Sequence, residues 1–183
     1  SKEGGRFTDF FIDRVMFPIH DDQTRTVAFG GRQVPGHPEF GPKYKNSPEM
    51  LTFQKSRMLF GLNHARHELK GAGGAIVVEG YTDCIALHQA GIRNAVAVLG
   101  TALTESHVTR LKGFSPRVTL SFDGDEAGQN KSGDAVSKLL AQQVDLRVLT
   151  IPDRLDPADF VEREGSERFL QLIEQAPEAW EFK

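Results

Sequence analysis

Cysteine is nearly missing from this chain: Cys84 stands alone among 183 residues. One thiol cannot close an internal disulfide, and no Cys/His cluster has the spacing of a zinc finger. Long apolar runs are missing as well, since none approaches the ~20 residues that span a bilayer. No secretory signal pattern opens the chain. A reducing, cytoplasmic setting without a membrane partner is the expectation. Tyrosine is scarce too, with only Tyr44 and Tyr81, which narrows any chemistry that needs a nucleophilic phenol. What is present is ordinary for a globular protein, with 39% hydrophobic and 26% charged residues, so the core can be one body or two small lobes sharing a seam.

The formal net charge of −3 hides an asymmetry. Residues 1–70 carry 11 Lys and Arg against 8 Asp and Glu, whereas residues 71–183 carry 11 against 17. Two unrelated surface compositions would explain this. So would a basic lobe for polyanions beside an acidic lobe for cations.

Within residues 13–34, Val15, Phe17 and Ile19, then Val27 and Phe29, alternate around the polar turn "DDQT", the pattern of a β-hairpin. Residues 35–50 hold four prolines and two glycines and read as irregular loop. Residues 53–70 read as a helix ending at "KGAGG", the boundary between lobes. Beyond it the rhythm changes. Apolar runs at 75–79, 95–99, 117–122 and 146–151 alternate with helical segments near 82–90, 104–112 and 126–143. Near-continuous Val/Ile/Leu strands alternating with helices predict a mainly parallel sheet covered on both faces, an α/β fold.

In such sheets ligands bind beyond the carboxyl ends of the strands. Three of the four ends bear acids: Glu79 and Asp83, Asp123 and Asp125, and Asp156 and Asp159. Each has a plain structural alternative. Asp125 can cap a helix after Gly124, and acids in a first helical turn suit the helix dipole. Asp156 before Pro157 is a common helix start. A calcium loop fits poorly, because Ala127 and Asp134 would occupy ligand positions 5 and 12. Taken together, acids gathered at one edge repel one another unless a cation neutralises them. Oxygen donors with few imidazoles select Mg²⁺ or Mn²⁺, and a pair of such ions suits displacement at phosphorus.

The first lobe offers Arg14, Arg32, Lys43, Lys45, Asn46, Lys55 and Arg57 as a track for a polyanion. Any one of them alone is more often simply solvated. Phe40, Tyr44 and Phe53 are interleaved and can stack on bases, with core packing the stronger expectation for Phe53. His64 and His67 lie three apart, with no further ligand spacing to make a zinc site.

With "EGYTD" and "DGDEAG" at strand ends, the chain resembles the Toprim domain shared by primases, topoisomerases and several nucleases. The segments "RVMFPIHD", "VAFGGR", "PKYKNSPE", "FQKSRMLFG", "VVEGYTDCIALHQAGI", "AVAVLGTALTESH" and "FDGDEAG" follow the order of bacterial DnaG-type DNA primases from about Phe11 to Phe160. The resemblance implies a Toprim-type sheet preceded by a small mixed basic lobe. It divides the chain into a basic lobe at 1–70, a Toprim catalytic domain at 71–165 and the start of a helical segment at 166–183.

It also implies a DNA-directed RNA polymerase that makes short RNA primers from ribonucleoside triphosphates on single-stranded DNA. By position, Glu79, Asp123 and Asp125 would bind catalytic metals, with Asp83 and Asp156 extending the cluster. Arg14, Arg32, Lys43, Asn46 and Lys55 would contact template or nucleotide. At "DPADF" the chain departs from many relatives, having Ala158 where they place an acid. The family's zinc-binding domain and its domain for the replicative helicase are not visible in these residues, so the chain reads as an excised piece. The rivals are a Toprim nuclease or topoisomerase, a non-catalytic nucleic-acid-binding module and a receiver-type phosphoacceptor domain.

Overall fold

A computed structural model describes residues 8–36, 41–71, 73–122 and 144–181. The basic lobe is built on β1 (Arg14–His20) and β2 (Thr26–Gln33), paired antiparallel, with the short β3 (Tyr44–Asn46) on the other side of β2. The polar turn between β1 and β2 is held by one carboxylate. Asp21 accepts from the backbone amides of Gln23 and Arg25 and pairs with the Arg25 guanidinium at 2.7 Å. Pro18 is tolerated because β1 is an edge strand and needs fewer donors.

The alternation read from the sequence is only partly realised. Phe29 faces outward at 42% exposure, and the buried positions of β2 are Ala28, Gly30 and Gly31. The reason is a close contact with Tyr81: a side chain at Gly30 would lie 3.0 Å from its ring.

The second sheet is parallel throughout, in the order β5-β4-β6-β7, with β4 at Ala75–Val78, β5 at Ala95–Ala97, β6 at Arg117–Phe122 and β7 at Asp145–Thr150. The expectation of an α/β fold with a mainly parallel sheet holds. Its strands read as continuous apolar runs because helices cover both faces. On one face Val77, Val96, Val118, Leu120 and Val148 pack with Leu62 of the short α1 (Leu62–Ala65) and with Val108 and Leu111 of α3 (Glu105–Lys112). On the other, Ile76, Val78, Ala97 and Leu149 pack with Leu87 of α2 (Tyr81–Gln89), Phe160 of α4 (Pro157–Glu164) and Phe169 and Ile173 of α5 (Ser166–Gln175). Among the described residues no helix is long and apolar enough to cross a membrane.

The helix expected across residues 53–70 is a correction. Only Leu62–Ala65 is α-helical there. Phe60 instead exchanges two backbone hydrogen bonds with Ala97, of 2.8 and 3.0 Å, and so covers the free edge of β5. Gly61 then turns the chain with φ of 80°, a conformation that costs other residues ~1–2 kcal/mol. Sheet pairing at an exposed edge has overridden local helix propensity. The opposite edge is covered in the same way, since Ala179 donates to Leu146 at 2.8 Å and Val148 to Pro177 at 3.1 Å. The helical reading of residues 166–183 accordingly holds as far as Gln175. The helix expected near 126–143 lies outside the described residues.

Candidate active site

The order of the parallel sheet decides where a ligand can sit. From β4 the chain crosses to β5 on one side, then returns past β4 to β6, and β7 lies farther out on that second side. The crevice beyond the carboxyl ends of β4 and β6 is thus the switch point of the sheet, the place where open α/β sheets bind ligands. Glu79 follows β4 directly, and Val77 of β4 is in register with Leu120 of β6. Asp123 and Asp125 follow β6 in the sequence and lie outside the described residues.

Beside Glu79, a cleft of about 320 Å³ opens between the two lobes. Lys43, Tyr44 and Asn46 line it from β3 and the residue before it, and Glu79, Gly80, Tyr81, Thr82 and Asp83 from the start of α2. Asp156 lines it from the start of α4. Six of the candidate residues singled out in the sequence, Lys43, Tyr44, Asn46, Glu79, Asp83 and Asp156, therefore share one cleft. A larger cavity of about 510 Å³, mostly apolar in its lining, shares Glu79, Val98 and Gly100 with it, so the two meet at the end of β4. The smaller cleft is the better candidate for charged chemistry because it holds both acids and a lysine.

The acids differ in their local roles. Asp83 is buried, and its Oδ2 accepts from the Gly80 amide at 3.1 Å, bracing the first turn of α2. Asp156 caps α4, its Oδ1 accepting from the Asp159 amide at 2.7 Å ahead of Pro157. Both structural alternatives foreseen in the sequence are therefore realised, and both residues also line the cleft. Glu79 is different: its Oε1 is buried and has no hydrogen-bond partner among the described residues. A buried carboxylate oxygen left unsatisfied costs roughly 1–3 kcal/mol or more, so Oε1 calls for a partner beyond the described residues. Among the described residues, however, no three His, Cys, Asp or Glu side chains come together as a metal-binding group.

The basic residues separate into those facing the cleft and those engaged elsewhere. Arg14 donates to the carbonyls of Pro42 at 2.7 Å and of Gly31 and Lys43 at 3.3 Å, locking the approach to β3. Arg32 and Lys43 lie over the Tyr44 ring at 5.7 and 5.8 Å. Asn46 donates to the Leu99 carbonyl at 3.0 Å, which leaves its buried Oδ1 without a partner among the described residues. Lys55 does not line the cleft. Phe53 is core, as expected, whereas Tyr44 is 38% exposed. Phe40 lies outside the described residues.

The sequence reading missed Tyr81 and Thr82 as lining residues, although both stand inside "EGYTD". Tyr81 joins the lobes. Its ring packs on Phe17, Tyr44 and Phe60 at centroid distances of 4.8, 5.4 and 5.6 Å. Burial pushes its hydroxyl up to about 12, with the neighbouring Tyr44 adding to the shift. A phenol so hard to ionise is a poor nucleophile, which weighs against a topoisomerase-like reaction through Tyr81. A signal for this role lay in Gly30 of β2 opposite, which makes room for the ring.

Residues 1–66 match the family described as DNA primase catalytic core, N-terminal domain, and residues 73–150 match the Toprim domain. The chain is 46% identical over 176 residues to the DNA primase of Pseudomonas putida, covering 94% of this chain and 26% of that one. It superposes on the Aquifex aeolicus primase (zinc-binding and RNA polymerase domains) with a TM-score of 0.90 at 39% identity, covering 99% of this chain and 44% of that one. A DnaG primase catalytic domain bound to ssDNA matches with a TM-score of 0.89 at 39% identity, covering 100% of this chain and 59% of that one. The chain spans about a quarter to a third of the length of the curated relatives it matches. Across both lobes, in sequence and in fold, this chain belongs to the catalytic core of the bacterial DnaG-type DNA primases.

Proposed function

We propose that this chain carries part of the active site of an RNA polymerase that makes short primers on single-stranded DNA from ribonucleoside triphosphates, for DNA replication. In this reading residues 1–70 handle template and nucleotide, and residues 71–165 form the catalytic Toprim domain. One observation carries it: Glu79, Asp83 and Asp156 line the same cleft as Lys43 and Asn46, at the switch point of the sheet. The family resemblance of both lobes and the ssDNA-bound relative support it.

The donor set fits Mg²⁺ or Mn²⁺ rather than zinc, because it is all carboxylate oxygen and includes the unsatisfied Oε1 of Glu79. Glu79, Asp123 and Asp125 would hold the ions, with Asp83 and Asp156 adding negative charge nearby. Such ions neutralise a triphosphate and lower the pKa of a primer hydroxyl. The protein's own part is positioning and charge, as phosphoryl and nucleotidyl transfer need. Lys43 would meet phosphate oxygens opposite the acids, and Oδ1 of Asn46, which has no partner among the described residues, would accept from a nucleotide hydroxyl or amine. In the transfer, the primer 3′-oxygen bonds to the α-phosphorus of the incoming nucleotide as pyrophosphate leaves.

Primer synthesis by the full-length protein on a single-stranded template tests this. Glu79→Gln keeps the shape of the side chain and removes its charge. Loss of synthesis with an unchanged melting temperature is the expected result, and normal synthesis would contradict the role given to Glu79.

A further inference from the structure

Three side chains at the start of and along α3 bind three successive carbonyls of the basic segment Lys55–Arg57. His107 Nε2 lies 2.8 Å from the Lys55 carbonyl, the Thr104 hydroxyl donates to the Ser56 carbonyl at 2.6 Å, and Arg110 donates to the Arg57 carbonyl at 2.9 Å. The histidine tautomer follows from its other nitrogen. Nδ1 accepts from the Thr104 amide at 3.1 Å, so the proton sits on Nε2 and points at Lys55. His107 is fully buried, and its own amide returns a bond to the Thr104 hydroxyl at 3.2 Å. From the other side Glu49 accepts from the Lys55 amide at 3.1 Å, while the amides of Arg57 and Met58 donate to Gln54.

Both backbone polar groups of Lys55 are thus taken up by side chains, the amide by Glu49 nearby in the sequence and the carbonyl by the distant His107. The side chains of Lys55 and Arg57 have no ion-pair partner among the described residues, and Arg57 is exposed. Simple adhesion between lobes is already provided by the buried Phe53, Met58 and Leu59. A row of polar groups matched to consecutive carbonyls does something more, because it fixes the rotation of the backbone and so the direction of the two cationic side chains.

We propose that Thr104, His107 and Arg110 are positioning residues that hold the Lys55–Arg57 segment with its two cations presented to a nucleic-acid phosphate backbone. The inference rests on the reading that the basic lobe carries template. Charge gives the affinity, and the staple to α3 aims it. A loop cation would otherwise lose side-chain and backbone entropy on binding, and here the backbone share is already lost on folding.

Anisotropy of a labelled oligo-dT across a salt series, with the full-length protein, tests this. Lys55→Ala should weaken binding several-fold and lower the salt slope by about 1. His107→Leu should weaken binding by a similar factor. In the double variant the two losses should fall short of multiplying, because one of the two cations that the staple aims is already gone. His107→Gln should recover most of the affinity, since an N3 glutamine can accept from the Thr104 amide and still donate to Lys55. Wild-type affinity in His107→Leu, or losses that multiply in the double variant, would overturn the proposal while leaving the template reading intact. An unaltered Lys55→Ala would remove that reading first, and the proposal with it. Should His107→Leu fail to fold, Thr104→Val in the same cycle with Lys55→Ala decides by the same criteria.

Discussion

The two sheets of this molecule solve the problem of burial in different ways. Every residue of β4 and β5 is buried, whereas β1 buries only Ile19 and leaves Val15 at 51% and Met16 at 38% exposure. The parallel sheet is a sealed scaffold. The small antiparallel sheet keeps a wet face, and its one well-packed patch is the contact around Tyr81. Rigidity thus sits under Glu79, and Lys43 sits across the cleft on the more open lobe. Precise placement matters most where charge must be concentrated, and less where a flexible polyanion is guided.

The largest effect that would sharpen this contrast is chemical. Asp123→Ala or Asp125→Ala should reduce primer synthesis by the full-length protein by at least about 100-fold with the melting temperature kept, in line with removing a charge that acts in the transition state. Retained synthesis in both would place the chemistry elsewhere. Next comes packing. Leu120→Ala, in the sealed sheet, should cost about 2–5 kcal/mol in denaturant unfolding, while Val15→Ala on the open face should stay within about 0.5 kcal/mol. Equal losses would erase the distinction between the sheets.

A smaller loss is expected from Gly61→Ala, roughly 1–2 kcal/mol from its positive φ, increased because a Cβ there would lie 2.8 Å from the Cys84 sulfur. An unchanged melting temperature would contradict the conformation given to Gly61.

The smallest effect concerns pH. Burial, and secondarily the positive charge of Arg110, hold His107 below its usual 6.5, against the opposing pull of the Lys55 and Met58 carbonyls. The unfolded chain then takes up the proton first, so this group's contribution to stability is complete above pH 6.5 and declines as pH falls below it. His107→Gln should flatten that decline in thermal melts taken between about pH 5 and pH 7. An identical slope in both proteins would leave His107 out of the linkage.

The parallel sheet was legible because strands buried on both faces must be apolar throughout, as "AIVV" at 75–78 shows. The position of Glu79 at the end of β4 was legible for the same reason, being a charge set directly after such a run. Residues 53–61 misled because their local preference is helical, whereas the edge of β5 needs partners and Phe60 supplies them. Tyr81 was missed as the contact between lobes because the room for its ring is made by the distant Gly30 of β2. The row from Thr104, His107 and Arg110 to Lys55, Ser56 and Arg57 spans about fifty positions, and no local pattern announces a bond between a side chain and a remote carbonyl.

The most direct test of the central claim is Mn²⁺ binding followed by electron paramagnetic resonance, comparing the wild-type chain with Glu79→Gln and Asp123→Ala. The claim predicts saturable binding by the wild type that weakens at least about tenfold in each variant, the loss of one charged ligand being worth ~1.4 kcal/mol or more. Binding that is equal in all three proteins, or none in the wild type at millimolar manganese, would contradict it and leave the acidic edge as a set of helix caps.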